Sequence, residues 1–212
     1  MATQPLTAAL FLLAQLHLPG GHTASAPKPV AAPAVQPQAA SGAFDYYILV
    51  LSWAPNSSAG HASFRLQGLW PRVTRGQTPE ACGETKPVSK AVLKMMRHYI
   101  QDAALVQREW AAHGTCSGLT PADYFNRVIE AFVAVQIPVQ LTSIDEPVAE
   151  SPEQIEAEFA GANPSFPARA FRTSCPRGAL AEVRVCFDGN LKPEECPATA
   201  DECRGPTLRI LP

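Results

Sequence analysis

Gln67-Gly68-Leu69-Trp70-Pro71 and Glu109-Trp110-Ala111-Ala112-His113-Gly114-Thr115-Cys116 are the two stretches that decide how this chain is read. The run from Val106 to Cys116 contains no proline and carries Ala111 and Ala112, so helix is its natural state over most of its length. On a helix Glu109 and His113 stand four apart and share a face. A carboxylate beside an imidazole can orient the ring and raise its pKa, and imidazole is the side chain best suited to proton transfer near neutrality. A lone pair of this kind is most often a surface contact; its setting between tryptophan and Gly-Thr-Cys argues for a site. Gln67 has a different chemistry. Its amide donates and accepts hydrogen bonds but cannot release a proton at physiological pH.

Outward from these stretches, Phe44 to Trp53 is aromatic and β-branched with Ala54-Pro55-Asn56 as a stop, which predicts a buried central strand. Ser63-Phe64-Arg65-Leu66 alternates and predicts a second strand leading into Gln67. Ser89 caps an expected helix through His98, with Val92, Leu93 and Met96 on one face. Thr120-Pro121-Ala122-Asp123 starts another, along which Phe125, Val128, Ile129, Phe132 and Val133 read as core. Ser151-Pro152-Glu153-Gln154 has the form of a capping box. Glu182 to Phe187 alternates as a strand does, and Asp188-Gly189-Asn190 turns the chain. Trp53, Tyr46 and Trp110 read as packing residues. Strands at both ends with helices between them predict an α+β domain, its helices packed on a largely antiparallel central sheet.

The apolar run Leu6–Leu18, followed by Ala24-Ser25-Ala26, has the order of a secretory signal peptide over residues 1–26. Residues 27–42 are rich in Pro and Ala with Lys28 as the single charge, the composition of an extended linker. Residues 43–212 are then one domain with no further span, and the location is secreted or periplasmic. All 17 basic and 19 acidic residues lie beyond Ala26, so the net charge of that part is -2. This balance excludes a broad lysine-based grip on nucleic acid. Six cysteines in an exported chain imply disulfides, in any of 15 pairings. Neither a Cys-x-x-Cys nor zinc-ligand His spacing is present, so no metal and no organic cofactor is expected.

Together the two stretches resemble the paired active-site segments of the ribonuclease T(2) family, and the resemblance covers most of Phe44 to Cys203. The family pattern is His-Gly-Leu-Trp-Pro and His-Glu-Trp-x-Lys-His-Gly-Thr-Cys. Here Gln67 replaces the first histidine, Arg108 the second, and Ala112 the lysine. The resemblance implies a disulfide-stapled fold with bridges Cys82–Cys116, Cys175–Cys203 and Cys186–Cys196. It implies metal-independent cleavage of single-stranded RNA through a 2′,3′-cyclic phosphate by a monomer, with His113 as general base and Glu109 as its partner. Gln67, Trp70 and Arg108 become substrate-binding positions: an amide at the phosphate, a ring that stacks on a base, and a fork of donors. Arg72 stands where the family often has an acid, which points to a changed base preference. Loss of the acid at Gln67 predicts activity that is severely weakened or lost, because such a group is worth about 10²–10⁴ in rate. Two further readings stay open: an inactive RNA- or nucleotide-binding protein on the same fold, and a scaffold or interaction protein. Of the histidines, His61 could replace the missing acid, whereas His98 complements a helix end.

Overall fold

The computed structural model describes residues 44–54, 62–142, 144–198, 203 and 205–212. The expected leader and linker lie outside them, as does His61. No helix among the described residues is long and apolar enough to cross a membrane.

The expected central strand is β1, Tyr46–Ala54. It lies between β2 (Ser63–Arg72) and β5 (Glu182–Asp188), and β4 (Phe171–Ser174) completes a four-stranded sheet in the order β2-β1-β5-β4. Every ladder in it is antiparallel. Alternation divides β1 between two cores. Tyr47, Leu49, Leu51 and Trp53 enter the large core, while Tyr46, Ile48 and Val50 pack with Cys186, Cys196 and part of Trp70 on the other face.

The helices lie in sequence between β2 and β4. They are α1 (Lys90–Met96), α2 (Ala103–Ala112), α3 (Pro121–Val133) and α4 (Pro152–Ala162). Ser89 caps α1 and Thr120 caps α3, while Ser151 and Gln154 form the expected reciprocal box on α4. Asp102 caps α2, which therefore starts before Val106. Its end is earlier too: the chain leaves the α-helix at Ala112 and tightens into a 3-10 turn over Gly114–Cys116. His98 lies exposed in the turn beyond α1.

Val133 does not belong to the core, against expectation: it is 57 % exposed. The buried face of α3 is centred on Tyr124, Val128 and Ala131, and at about 100° per residue Val133 falls on its far side. Tyr124, absent from the expected stripe, is fully buried and donates its hydroxyl to the Leu69 carbonyl at 2.8 Å, tying α3 to β2. The short strands β3 (Val148–Glu150) and β6 (Leu208–Ile210) pair with each other in a second sheet.

The three bridges implied by the resemblance are all present. Cys82–Cys116 joins the loop after β2 to the end of the 3-10 turn with Cα atoms 4.8 Å apart. Cys175–Cys203 and Cys186–Cys196 fasten the C-terminal part to β4 and β5.

Candidate active site

The first stretch lies on β2 and contains an irregularity. Val50 opposes Gly68 while Leu51 opposes Leu66, so Gln67 is an extra residue in the ladder. A bulge of this type re-aims a side chain. Leu66 and Leu69 both belong to the large core, while Gln67 accepts a hydrogen bond at Oε1 from the Ser52 hydroxyl. Its amide also neighbours the Glu109 carboxyl and favours its ionised form.

The second stretch brings Glu109 against β2. Glu109 is 5 % exposed, and its Oε2 accepts a hydrogen bond from Trp70 Nε1 at 2.8 Å. A Cβ added at Gly68 would fall 2.2 Å from Glu109 Oε2. Glycine at 68 is therefore the condition for the carboxylate to lie flat on the strand. Gly114 has the same role beside Trp110, where a Cβ would fall 2.3 Å from Cε3. Burial pushes the Glu109 carboxyl up from the usual 4.5 to about 7, against the Trp70 and Gln67 hydrogen bonds and the Arg108 charge. The Glu182 carboxylate adds to the rise.

His113 terminates α2 and bonds through its backbone N–H to the Glu109 carbonyl at 3.0 Å. Its ring is 8 % exposed and stacks on Trp70, with centroids 4.6 Å apart and planes 29° apart. The side chains do not form the carboxylate–imidazole pair suggested by their spacing. His113 Nδ1 is buried with no hydrogen-bond partner among the described residues. The His113 backbone has left helical geometry, and the Glu109 carboxylate is taken by the Trp70 indole. Burial lowers the His113 pKa; the Glu80 charge opposes this and the Arg72 charge adds to it. Trp70 is the mediator: its edge meets the Glu109 carboxyl and its face meets the His113 ring.

Arg108 points to the exposed side of α2, where it pairs with Asp102 at 3.5 Å. Ala112 contributes its carbonyl, which accepts the Ala81 N–H at 2.8 Å. The alternation in β5 gave no signal for one further pair. Glu182 and Arg184 form an ion pair at 2.9 Å with side chains 18 % exposed, and Arg184 lies 5.9 Å from the centre of the Trp70 ring. A charged pair inside an otherwise apolar strand, Glu-Val-Arg-Val-Cys-Phe, was the only available hint.

The sequence profile of the ribonuclease T2 family matches residues 44–196. A ribonuclease of Aeromonas hydrophila is 35 % identical over 101 residues, 43 % of this chain and 46 % of the relative. A probable ribonuclease of Haemophilus influenzae is 27 % identical over 135 residues, 51 % of this chain and 50 % of the relative. The chain thus spans about half the length of these curated relatives. Among solved structures, an RNase-related protein from Calystegia sepium superposes with a TM-score of 0.61 at 23 % identity, covering 79 % of this chain and 96 % of the other. The structure of RNase NT in complex with 5′-AMP superposes with a TM-score of 0.57 at 18 % identity, covering 80 % and 98 %. With the profile spanning the sheet, the helices and both stretches, this chain belongs to the ribonuclease T2 family.

Proposed function

We propose that the chain is an exported, RNA-binding protein that cleaves single-stranded RNA slowly and without metal, using His113 as base and Glu109 as acid. The observation that carries this reading is the Glu109 carboxyl, raised to about 7 beside the position where Gln67 cannot ionise. The neutral His113 ring takes the proton of the substrate's 2′-hydroxyl as that oxygen attacks phosphorus. The bond from phosphorus to the 5′-oxygen then breaks, and protonated Glu109 supplies the departing oxygen with its proton. The products are a 2′,3′-cyclic phosphate and a 5′-hydroxyl. The Ser52 hydroxyl orients the Gln67 amide beside this carboxyl. Trp70 and Arg108 contribute to holding RNA.

The two groups favour opposite protonation states. Rate rises as His113 loses its proton, below 6.5, and falls as Glu109 loses its own near 7. The expected profile is a narrow bell on the acid side of neutrality. A second reading, RNA retained without cleavage, is favoured by the 5 % exposure of Glu109.

The test is product analysis on an RNA homopolymer across pH, with His113→Ala as control and Gln67→His as the restored acid. Cyclic phosphates above the control support cleavage, with about 10²-fold or more gained by Gln67→His. RNA binding with no products from either protein favours retention. Absence of both binding and products leaves a scaffold.

A further inference from the structure

The transition state of such a cleavage concentrates negative charge on phosphate, and preorganised cations stabilise it. Neither Gln67 nor Ala112 supplies one. Strand β5 brings a cation to the same face of the sheet. Arg184 opposes Val50, and Val50 opposes Gly68, against which Glu109 lies. Strands are spaced by about 4.8 Å, so the Arg184 backbone is about 10 Å from Gly68 and its side chain spans most of that distance. Its guanidinium carbon lies 5.9 Å from the centre of the Trp70 ring. Glu182 holds the guanidinium in this direction through Nε and Nη2, each 2.9 Å from the same carboxylate oxygen. Glu182 in turn opposes Ser52, whose hydroxyl is bonded to Gln67. The ion pair therefore borders Gln67 and, through Trp70, the Glu109 carboxyl. It is also largely withdrawn from solvent, where screening of its field is reduced.

We propose that Arg184, steered over Trp70 by Glu182, contacts the phosphate of bound single-stranded RNA and supplies the positive charge that Ala112 lacks. This rests on the RNA-binding part of the proposed function. Guanidinium suits the role because its planar fork matches phosphate oxygens.

The test is fluorescence anisotropy of a labelled oligouridylate across a range of salt concentrations. The wild type is compared with Glu182→Gln, Arg184→Lys and the double variant Glu182→Gln/Arg184→Gln, which leaves no orphaned charge. The double variant is expected to bind about tenfold more weakly, as for loss of a charge-assisted hydrogen bond. Its log–log salt slope should be shallower by about 0.7, the release attached to one phosphate of a single strand. Arg184→Lys and Glu182→Gln should keep the wild-type slope. Glu182→Gln/Arg184→Met, which likewise leaves no orphaned charge, provides the same reading if that double variant does not fold. A weakened complex with an unchanged slope would show a merely structural residue and overturn the assignment. Binding insensitive to every variant overturns it too, while leaving the RNA-binding reading intact. Wild-type protein that binds no RNA at any salt removes both.

Discussion

At the scale of single residues, the site is governed by how closely a carboxylate can approach a strand. Gly68→Ala places a methyl within 2.2 Å of Glu109 Oε2, so either the strand or the acid must move. Overpacking of this kind costs about 1–3 kcal/mol. The expected result is a lower thermal midpoint together with loss of the proposed cleavage, measured by calorimetry and product formation. Glu109 itself titrates unusually. Its folded pKa, about 7, lies above the usual 4.5. The stability it contributes is therefore complete below pH 4.5 and declines as pH rises to about 7, by an order of about 3 kcal/mol. Glu109→Gln should flatten this decline, equal to wild type near pH 4.5 and more stable at pH 8, as denaturant titrations at the two pH values will show. The residue types of the site were legible in the two stretches, and so was the inability of Gln67 to ionise. The partner of Glu109 was not. Helical spacing pairs it with His113, whereas the carboxylate is claimed by Trp70, 39 positions away in sequence, and only the fold brings that indole into reach.

At the scale of elements, β2 and α2 each carry half of the site, and a covalent bridge fixes the loop after one to the turn after the other. Cys82→Ser with Cys116→Ser opens a bridge spanning a separation of 34 residues. Chain entropy alone assigns this a loss of about 3–4 kcal/mol. Denaturant unfolding of the double variant should show that loss, and the proposed cleavage should fall further than the folded fraction does. Caps were legible because hydroxyl, proline and carboxamide stand at fixed offsets: Ser89, Thr120 and Ser151 each start the helix they announce. The extra residue in β2 was not legible, since Ser63 to Leu66 alternates regularly up to the position where Gln67 breaks step. Strands β3, β4 and β6, three or four residues long, are too short to show a period of two. Val133 was misread because a stripe of five apolar residues spans more of a helix than the core covers.

At the scale of the whole molecule, a net charge of -2 means that the RNA of the proposed function would be held by a few local cations. Association should thus weaken with salt at a log–log slope of about 2 or less, since each phosphate contact adds about 0.7 for a single strand. A slope several times steeper in anisotropy titrations would mean a far wider basic footprint. The α+β class followed from strands at the two ends of the domain with helices between them, and the sheet bears it out.

The irregularity at Gln67 has a further consequence for how copies of the chain meet. β2 is an outer strand ten residues long, a length that ordinarily invites a neighbour to add to it. Its extra residue interrupts the outward row of amide and carbonyl groups, and Pro71 removes one donor from the strand. An incoming β-strand finds no unbroken ladder to copy, so the distortion that aims Gln67 inward also makes this border a poor template for fibrils.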